Sequence, residues 1–251
     1  MDGILFDWMG VIFKEADVIG GTFARVMLSD LQKSSISMEG IWRRYYPYSE
    51  GKLSREDFWQ GFHGNIGDLE RKYLDTFELN EEYEFIRGLE RRFKLGVVSN
   101  LPAEWGDYLI AKYRFRETFD PIVVSGSVRR RKPDPEIYRI ALAGLGPVDD
   151  MYVVDDKLSN LRAVHELFGW KTVWMTSRPS DSIFAPMFAI DRLSELGLVF
   201  PVGLGKSFRT ARVGSDKDRR SPKTRKQDRK QALRRARDRT ENKDVNVEKR
   251  E

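Results

Sequence analysis

The chain has 251 residues, 40% of them apolar, with 15 Phe, 9 Tyr and 6 Trp, which suffices for one sizeable α/β domain with an insertion or for two small domains. It has no cysteine and two histidines, His63 and His165, which excludes disulfides, thiol catalysis and a multi-histidine metal site within one chain. The net charge is +5, and any metal chemistry must use carboxylates, hence a hard cation such as Mg²⁺.

Gly3-Ile4-Leu5-Phe6 opens an apolar run that reads as a short buried strand, delivering Asp7 at its carboxyl end and a tight turn at Gly10. From Phe13 to about Gly88 the pattern is helical. Ala16–Leu31 has near-helical apolar spacing, Ile41–Tyr48 is rich in aromatics, Ser54 reads as an N-cap, and Leu69–Phe77 and Glu81–Phe93 continue the pattern. Trp42, Tyr45, Tyr46 and Trp59 read as the core of this segment. Strands are then expected at 94–100, 121–125, 151–156 and 171–175, with helices at 105–113, 134–145 and 159–168 between them. Strands alternating with single helices predict a parallel, doubly wound sheet. Past Thr176 the signal fades, and Ile190–Leu198 reads as a last helix or strand.

From Lys206 to Glu251 the chain carries 18 Lys+Arg against 8 Asp+Glu, a net of +10, so the remainder is acidic at −5. This tail reads as disordered, with weak nonspecific contact to nucleic-acid phosphates as its functional reading. No run of about 18 apolar residues occurs, so no membrane span is expected. No basic region precedes the first strand, so no signal peptide is expected and a cytoplasmic location is the default.

Four polar segments fall at strand ends or in loops, in order: Asp7, Ser99-Asn100, Lys132 and Asp155-Asp156. Singly, each has an ordinary reading as a helix cap or an exposed loop residue. Gathered at one sheet edge they compose a phosphate and Mg²⁺ site, with carboxylates for the cation and Ser99, Asn100 and Lys132 for an anion. Asp7 is then placed to attack phosphorus.

These segments resemble the motifs of the haloacid dehalogenase superfamily over about residues 1–178. The match is most specific at Val153-Val154-Asp155-Asp156-Lys157-Leu158-Ser159-Asn160-Leu161 and at Arg131-Lys132-Pro133-Asp134-Pro135-Glu136-Ile137-Tyr138. The subgroup resembled inserts a helical cap after the first motif and includes small-molecule phosphatases and the N-terminal domains of epoxide hydrolases. The resemblance implies an α/β core over 1–13 and 89–205, a helical cap over 14–88 and a tail over 206–251. It implies Asp7 as nucleophile and Mg²⁺ ligand, with the backbone carbonyl of Met9 and Asp156 as further ligands and Asp155 beside them. Ser99, Asn100 and Lys132 would bind the phosphoryl group of a small phosphorylated substrate, with Lys132 also neutralising Asp7, and Asn160 would shape the loop.

Met9 departs from the pattern. Phosphatases of the superfamily usually carry a second Asp there, which protonates the leaving oxygen and activates water. An enzyme that is slow or restricted to good leaving groups such as acyl or aryl phosphates, another group in its place, or a binding protein without turnover are the competing readings. Phosphonoacetaldehyde hydrolases have a similar first motif with a Schiff-base lysine in the cap, which makes Lys52 a minor alternative. Dehalogenases need no Mg²⁺ site, so the Asp155-Asp156 pair speaks against dehalogenation.

Overall fold

The computed structural model describes residues 1–34, 36–176 and 184–200. Strand β1 (Gly3–Phe6) is buried at every position. Six helices follow before the next strand: α1 (Gly21–Val26), α2 (Leu28–Lys33), α3 (Met38–Ser49), α4 (Arg55–Trp59), α5 (Ile66–Leu74) and α6 (Tyr83–Leu89). Then come β2 (Lys94–Ser99), α7 (Ala103–Tyr113), β3 (Ile122–Val124), α8 (Ser125–Val128) and α9 (Pro135–Leu145). The chain continues through β4 (Met151–Asp155), α10 (Leu158–Phe168), β5 (Lys171–Met175), β6 (Phe188–Ile190) and α11 (Leu196–Val199).

The strands form one six-stranded sheet in the order β3-β2-β1-β4-β5-β6, with every neighbouring pair parallel. At its centre Leu5 lies opposite Gly96 on one side and Val153 on the other. Being covered on both faces, β1 is apolar at all positions and does not alternate. Its side chains nonetheless divide with the strand period of two. Ile4 and Phe6 join the apolar cluster that runs into the helical insertion, while Leu5 packs with Ile137, Ala141, Leu161 and Val164 of α9 and α10. The sheet is thus doubly wound, and the chain reverses direction across it between β1 and β4. The crevice beyond the carboxyl ends of strands at such a point is where open α/β sheets take ligands.

The segment expected as one helix over 16–31 is two. Met27 leaves helical geometry (φ −95°, ψ 8°) and buries its side chain completely, which breaks the run between α1 and α2. The short helix α8 and the separate strand β6 were not expected. Ser37, Ser54 and Asn65 cap α3, α4 and α5 with their side chains. The insertion and the sheet are tied by buried polar contacts. Glu70 on α5 accepts from Trp59 Nε1 at 3.0 Å, from Arg55 Nε at 3.0 Å and, across from α7, from Trp105 Nε1 at 3.1 Å. Tyr48 of α3 donates to Glu70 and to Glu104, each at 3.3 Å. Ser125 Oγ donates to the Ser49 carbonyl. Gly51 has φ +67°, and a Cβ there would run into the Gly126 carbonyl, so this turn after α3 requires glycine to approach the core.

Among the described residues, no helix is long and apolar enough to cross a membrane. The basic segment 206–251 lies outside the described residues.

Candidate active site

Asp7 is carried to the crevice by register. β1 ends with Phe6 opposite Val154, so Asp7 stands beside Asp155, and its N–H donates to the Val154 carbonyl at 2.9 Å. Its Oδ1 accepts the Trp8 N–H at 2.7 Å. Lys132 enters from the loop between α8 and α9 and puts Nζ 2.8 Å from both Asp7 Oδ2 and Asp155 Oδ2. Its side chain is only 1% exposed. Burial disfavours its charge, but the charges of Asp155 and Asp7 outweigh that, and the ammonium is held above the usual lysine range.

Asp155 is fully engaged. Its Oδ1 accepts the Lys157 N–H at 2.8 Å and Asn160 Nδ2 at 3.0 Å, and its Oδ2 accepts Lys132 Nζ and Asn160 Nδ2. The amide of Asn160 therefore braces a carboxylate from the first turn of α10. Burial raises the Asp155 carboxyl, and Lys132 opposes the rise. Asp156 differs: its Oδ1 is buried with no hydrogen-bond partner. Burial first, then the charges of Asp7 and Asp155, push its carboxyl up to about 8. Its carbonyl accepts Trp174 Nε1 at 2.9 Å, which fixes the segment against β5.

One oxygen from each of Asp7, Asp155 and Asp156 can be chosen so that all lie within 4.8 Å of one another, a donor set for a metal ion. Gly10, at φ +75°, lies over this cluster, and a Cβ there would stand 2.8 Å from Asp156 Oδ2. The glycine keeps that carboxylate accessible. The unpartnered Oδ1 and the all-oxygen donor set fit a hard divalent cation such as Mg²⁺. Because Asp155 already has its acceptors filled, Asp7 and Asp156 are the two that can bond an ion without breaking existing contacts.

Ser99 ends β2 fully buried, and its Oγ likewise has no partner. The Asn100 side chain, expected on phosphoryl oxygens, is committed elsewhere. Its Oδ1 accepts the Lys132 N–H at 2.8 Å and its Nδ2 donates to the Lys132 carbonyl at 3.1 Å. A primary amide matches a peptide group in both donor and acceptor, so this side chain holds the lysine backbone, with one of its two Nδ2 donors left over. Met9 is 3% exposed and packs into the apolar cluster, so a thioether in the core occupies the position of the usual second acid. Asp156 also lines a cavity of about 750 Å³, together with Gly10, Phe13, Asn80 and Trp174.

The remaining candidates lie elsewhere. Lys52 is 55% exposed and pairs with Glu50 at 2.7 Å. His63 and His165 are exposed. Arg43 pairs with Glu39, and Arg44 donates to the Gln60 carbonyl. Tyr45 and Trp59 are buried, Trp42 is half-buried and Tyr46 is exposed. Sequence reasoning missed the clasp of Asn100 on Lys132, the tie of Trp174 to Asp156, and the link from Tyr45 to Asn100. No motif-level signal marks these, because each joins residues far apart in the chain.

A family model described as haloacid dehalogenase-like hydrolase matches residues 1–167. The chain belongs to that family. A phosphorylated carbohydrates phosphatase of Thermotoga maritima is 23% identical over 169 residues, covering 65% of this chain and 76% of that protein. Two solved structures share the fold at 20% identity. The HAD phosphatase from Thermococcus onnurineus has a TM-score of 0.60, covering 80% of this chain and 98% of its own. The putative HAD-hydrolase YfnB from Bacillus subtilis, bound to magnesium, has a TM-score of 0.57, covering 80% of this chain and 99% of its own. This chain is a hydrolase of the family, and its six-stranded parallel sheet with flanking helices is the family's Rossmann-like core.

Proposed function

We propose that this hydrolase is a Mg²⁺-dependent phosphatase of a small phosphorylated metabolite, working through an aspartyl-phosphate on Asp7. The observation that carries the reading is the buried ion triad. Lys132 Nζ sits 2.8 Å from both Asp7 and Asp155, with the unpartnered oxygen of Asp156 beside them. The HAD hydrolase family and the Thermotoga phosphatase support the reaction class, and that relative favours a phosphorylated carbohydrate as substrate.

Asp7 and Asp156 would hold Mg²⁺, together with the backbone carbonyl of Met9. The bound ion supplies charge neutralisation at the phosphoryl oxygens. A carboxylate oxygen of Asp7 bonds to phosphorus as the bond from phosphorus to the leaving oxygen breaks. Lys132 offsets the charge of Asp7 and of the transferring group, and Ser99 Oγ donates to a phosphoryl oxygen. The leaving oxygen takes its proton from water, since Met9 has none to give. A second water then adds to phosphorus, releasing inorganic phosphate and restoring the Asp7 carboxylate.

Met9 favours a second reading at the level of rate: an enzyme slow with poor leaving groups, or a pocket that binds with little turnover. General acid–base assistance contributes about 10² to 10⁴-fold, and that share is missing unless another group supplies it. The deciding experiment is phosphate release from sugar, nucleotide, acyl and aryl phosphates, with Mg²⁺ and with EDTA, beside Asp7→Asn. Release needing both Mg²⁺ and Asp7 is expected. Undiminished release by Asp7→Asn overturns the proposal.

For the segment 206–251 we keep the reading of weak, nonspecific contact with nucleic-acid phosphates, motivated by its net charge of +10. A cytoplasmic location stays the default expectation.

A further inference from the structure

We propose that Tyr45, a residue of the helical insertion, is a positioning residue for Lys132, acting through Asn100; this rests on the reading of Asp7 as phosphoryl acceptor. Tyr45 lies on α3, 3% exposed, its ring packed against Trp42 and Trp105 with centroids 6.1 Å away in each case. Its hydroxyl donates to the Asn100 carbonyl at 3.1 Å. Asn100 is the first residue beyond β2, and its side chain grips the Lys132 peptide at both ends, at 2.8 Å and 3.1 Å. Two bonds to one backbone residue fix its orientation as well as its place. From that fixed backbone, Nζ reaches Asp7 and Asp155 at equal distances of 2.8 Å.

The same helix holds the residue on the other side. The Arg131 guanidinium lies over the Tyr46 ring, 4.6 Å from its centroid, and donates to Ser49 Oγ. Lys132 is therefore flanked by Asn100, held by the Tyr45 hydroxyl, and by Arg131, held by Tyr46, Ser49 and the Tyr45 ring, whose centroid is 5.8 Å from the guanidinium. All three anchors belong to α3. A displacement of α3 is transmitted to the lysine backbone and so to its ammonium. Charge stabilisation depends on where the donor sits when charge develops, and a misplacement of about 1 Å costs on the order of 10²-fold in rate. The helical insertion thus takes part in the chemistry of the sheet edge without touching the reacting atoms.

Tyr45→Phe removes one hydroxyl and keeps the ring. For this variant we expect kcat to fall about tenfold with KM unchanged. Hydrogen exchange of the Lys132 amide, which donates to Asn100, should quicken about tenfold, while that of the Asp7 amide, which donates to Val154, stays as in the wild type. Combined with Asn100→Ala, the variant should lose no more than Asn100→Ala alone, because both act along one path. Unchanged exchange at Lys132 overturns the proposal, as does equal acceleration at Lys132 and Asp7, or additive losses in the double variant. If the wild type releases no phosphate from any substrate, the phosphatase reading falls by itself. The exchange of the Lys132 amide still decides the positioning role in that case.

Discussion

Asp156 is where burial and neighbouring charge push in the same direction. An exposed carboxyl loses its proton at about pH 4, whereas burial and the neighbouring charges of Asp7 and Asp155 hold the Asp156 proton up to about 8. Between those values the folded chain binds a proton that the unfolded chain has lost. Stability is therefore fullest at the acidic end of that window and falls as pH rises toward its upper end. A divalent ion replaces the proton and removes the dependence. In EDTA, the Tm should decline from about pH 5 to about pH 8 and stay flat with saturating Mg²⁺. Equal slopes in the two conditions would refute the assignment of Asp156 as a ligand. Met9 makes the opposite point, that a missing group is not restored by substitution alone. Its side chain is packed in the apolar cluster, so Met9→Asp buries a carboxylate among apolar neighbours, with an expected cost on the order of 3 kcal/mol in urea unfolding. A variant as stable as wild type would show that this position reaches solvent or a cation.

At the level of elements, the strand ends were legible because the chemistry is local. An apolar run followed by Asp, by Ser-Asn or by Asp-Asp is read directly, the helix after Pro133 follows from its Asp134 cap, and α10 follows from the left-handed Gly169 that closes it. What escaped was non-local or short. β6 has three residues and Ala189 at its middle is exposed, so no periodicity could reveal it. Asn100 carries the right residue type for an anion, and only the fold shows that the Lys132 peptide takes both of its polar atoms. Glu70 was unmarked in the sequence, yet it gathers Arg55, Trp59, Trp105 and Tyr48 around one buried carboxylate. Glu70→Ala leaves a half-buried guanidinium and two indole N–H groups without their acceptor. We expect it to lower unfolding free energy by about 3 kcal/mol. A loss under about 0.5 kcal/mol would mean that water replaces the carboxylate at little cost.

For the molecule as a whole, charge divides the chain. Residues 1–205 carry a net of −5 and residues 206–251 a net of +10, so any attraction to a polyanion is expected from the basic segment. RNA affinity should fall when 206–251 is removed, and the salt dependence of the full chain should flatten with it, by about one unit of slope per lost phosphate contact. Unchanged binding would end the nucleic-acid reading while leaving phosphate release as it was. The contacts between insertion and sheet carry a different consequence, for evolution and engineering. A helical insertion is commonly pictured as a detachable module that can be traded to change substrate. Here a chimera bearing another protein's insertion would forfeit the hydroxyl beneath Asn100, the stack under Arg131 and the carboxylate shared with Trp105. The exchange would alter specificity and catalytic competence together, so a new insertion would succeed only alongside compensating changes in the loop that bears Lys132.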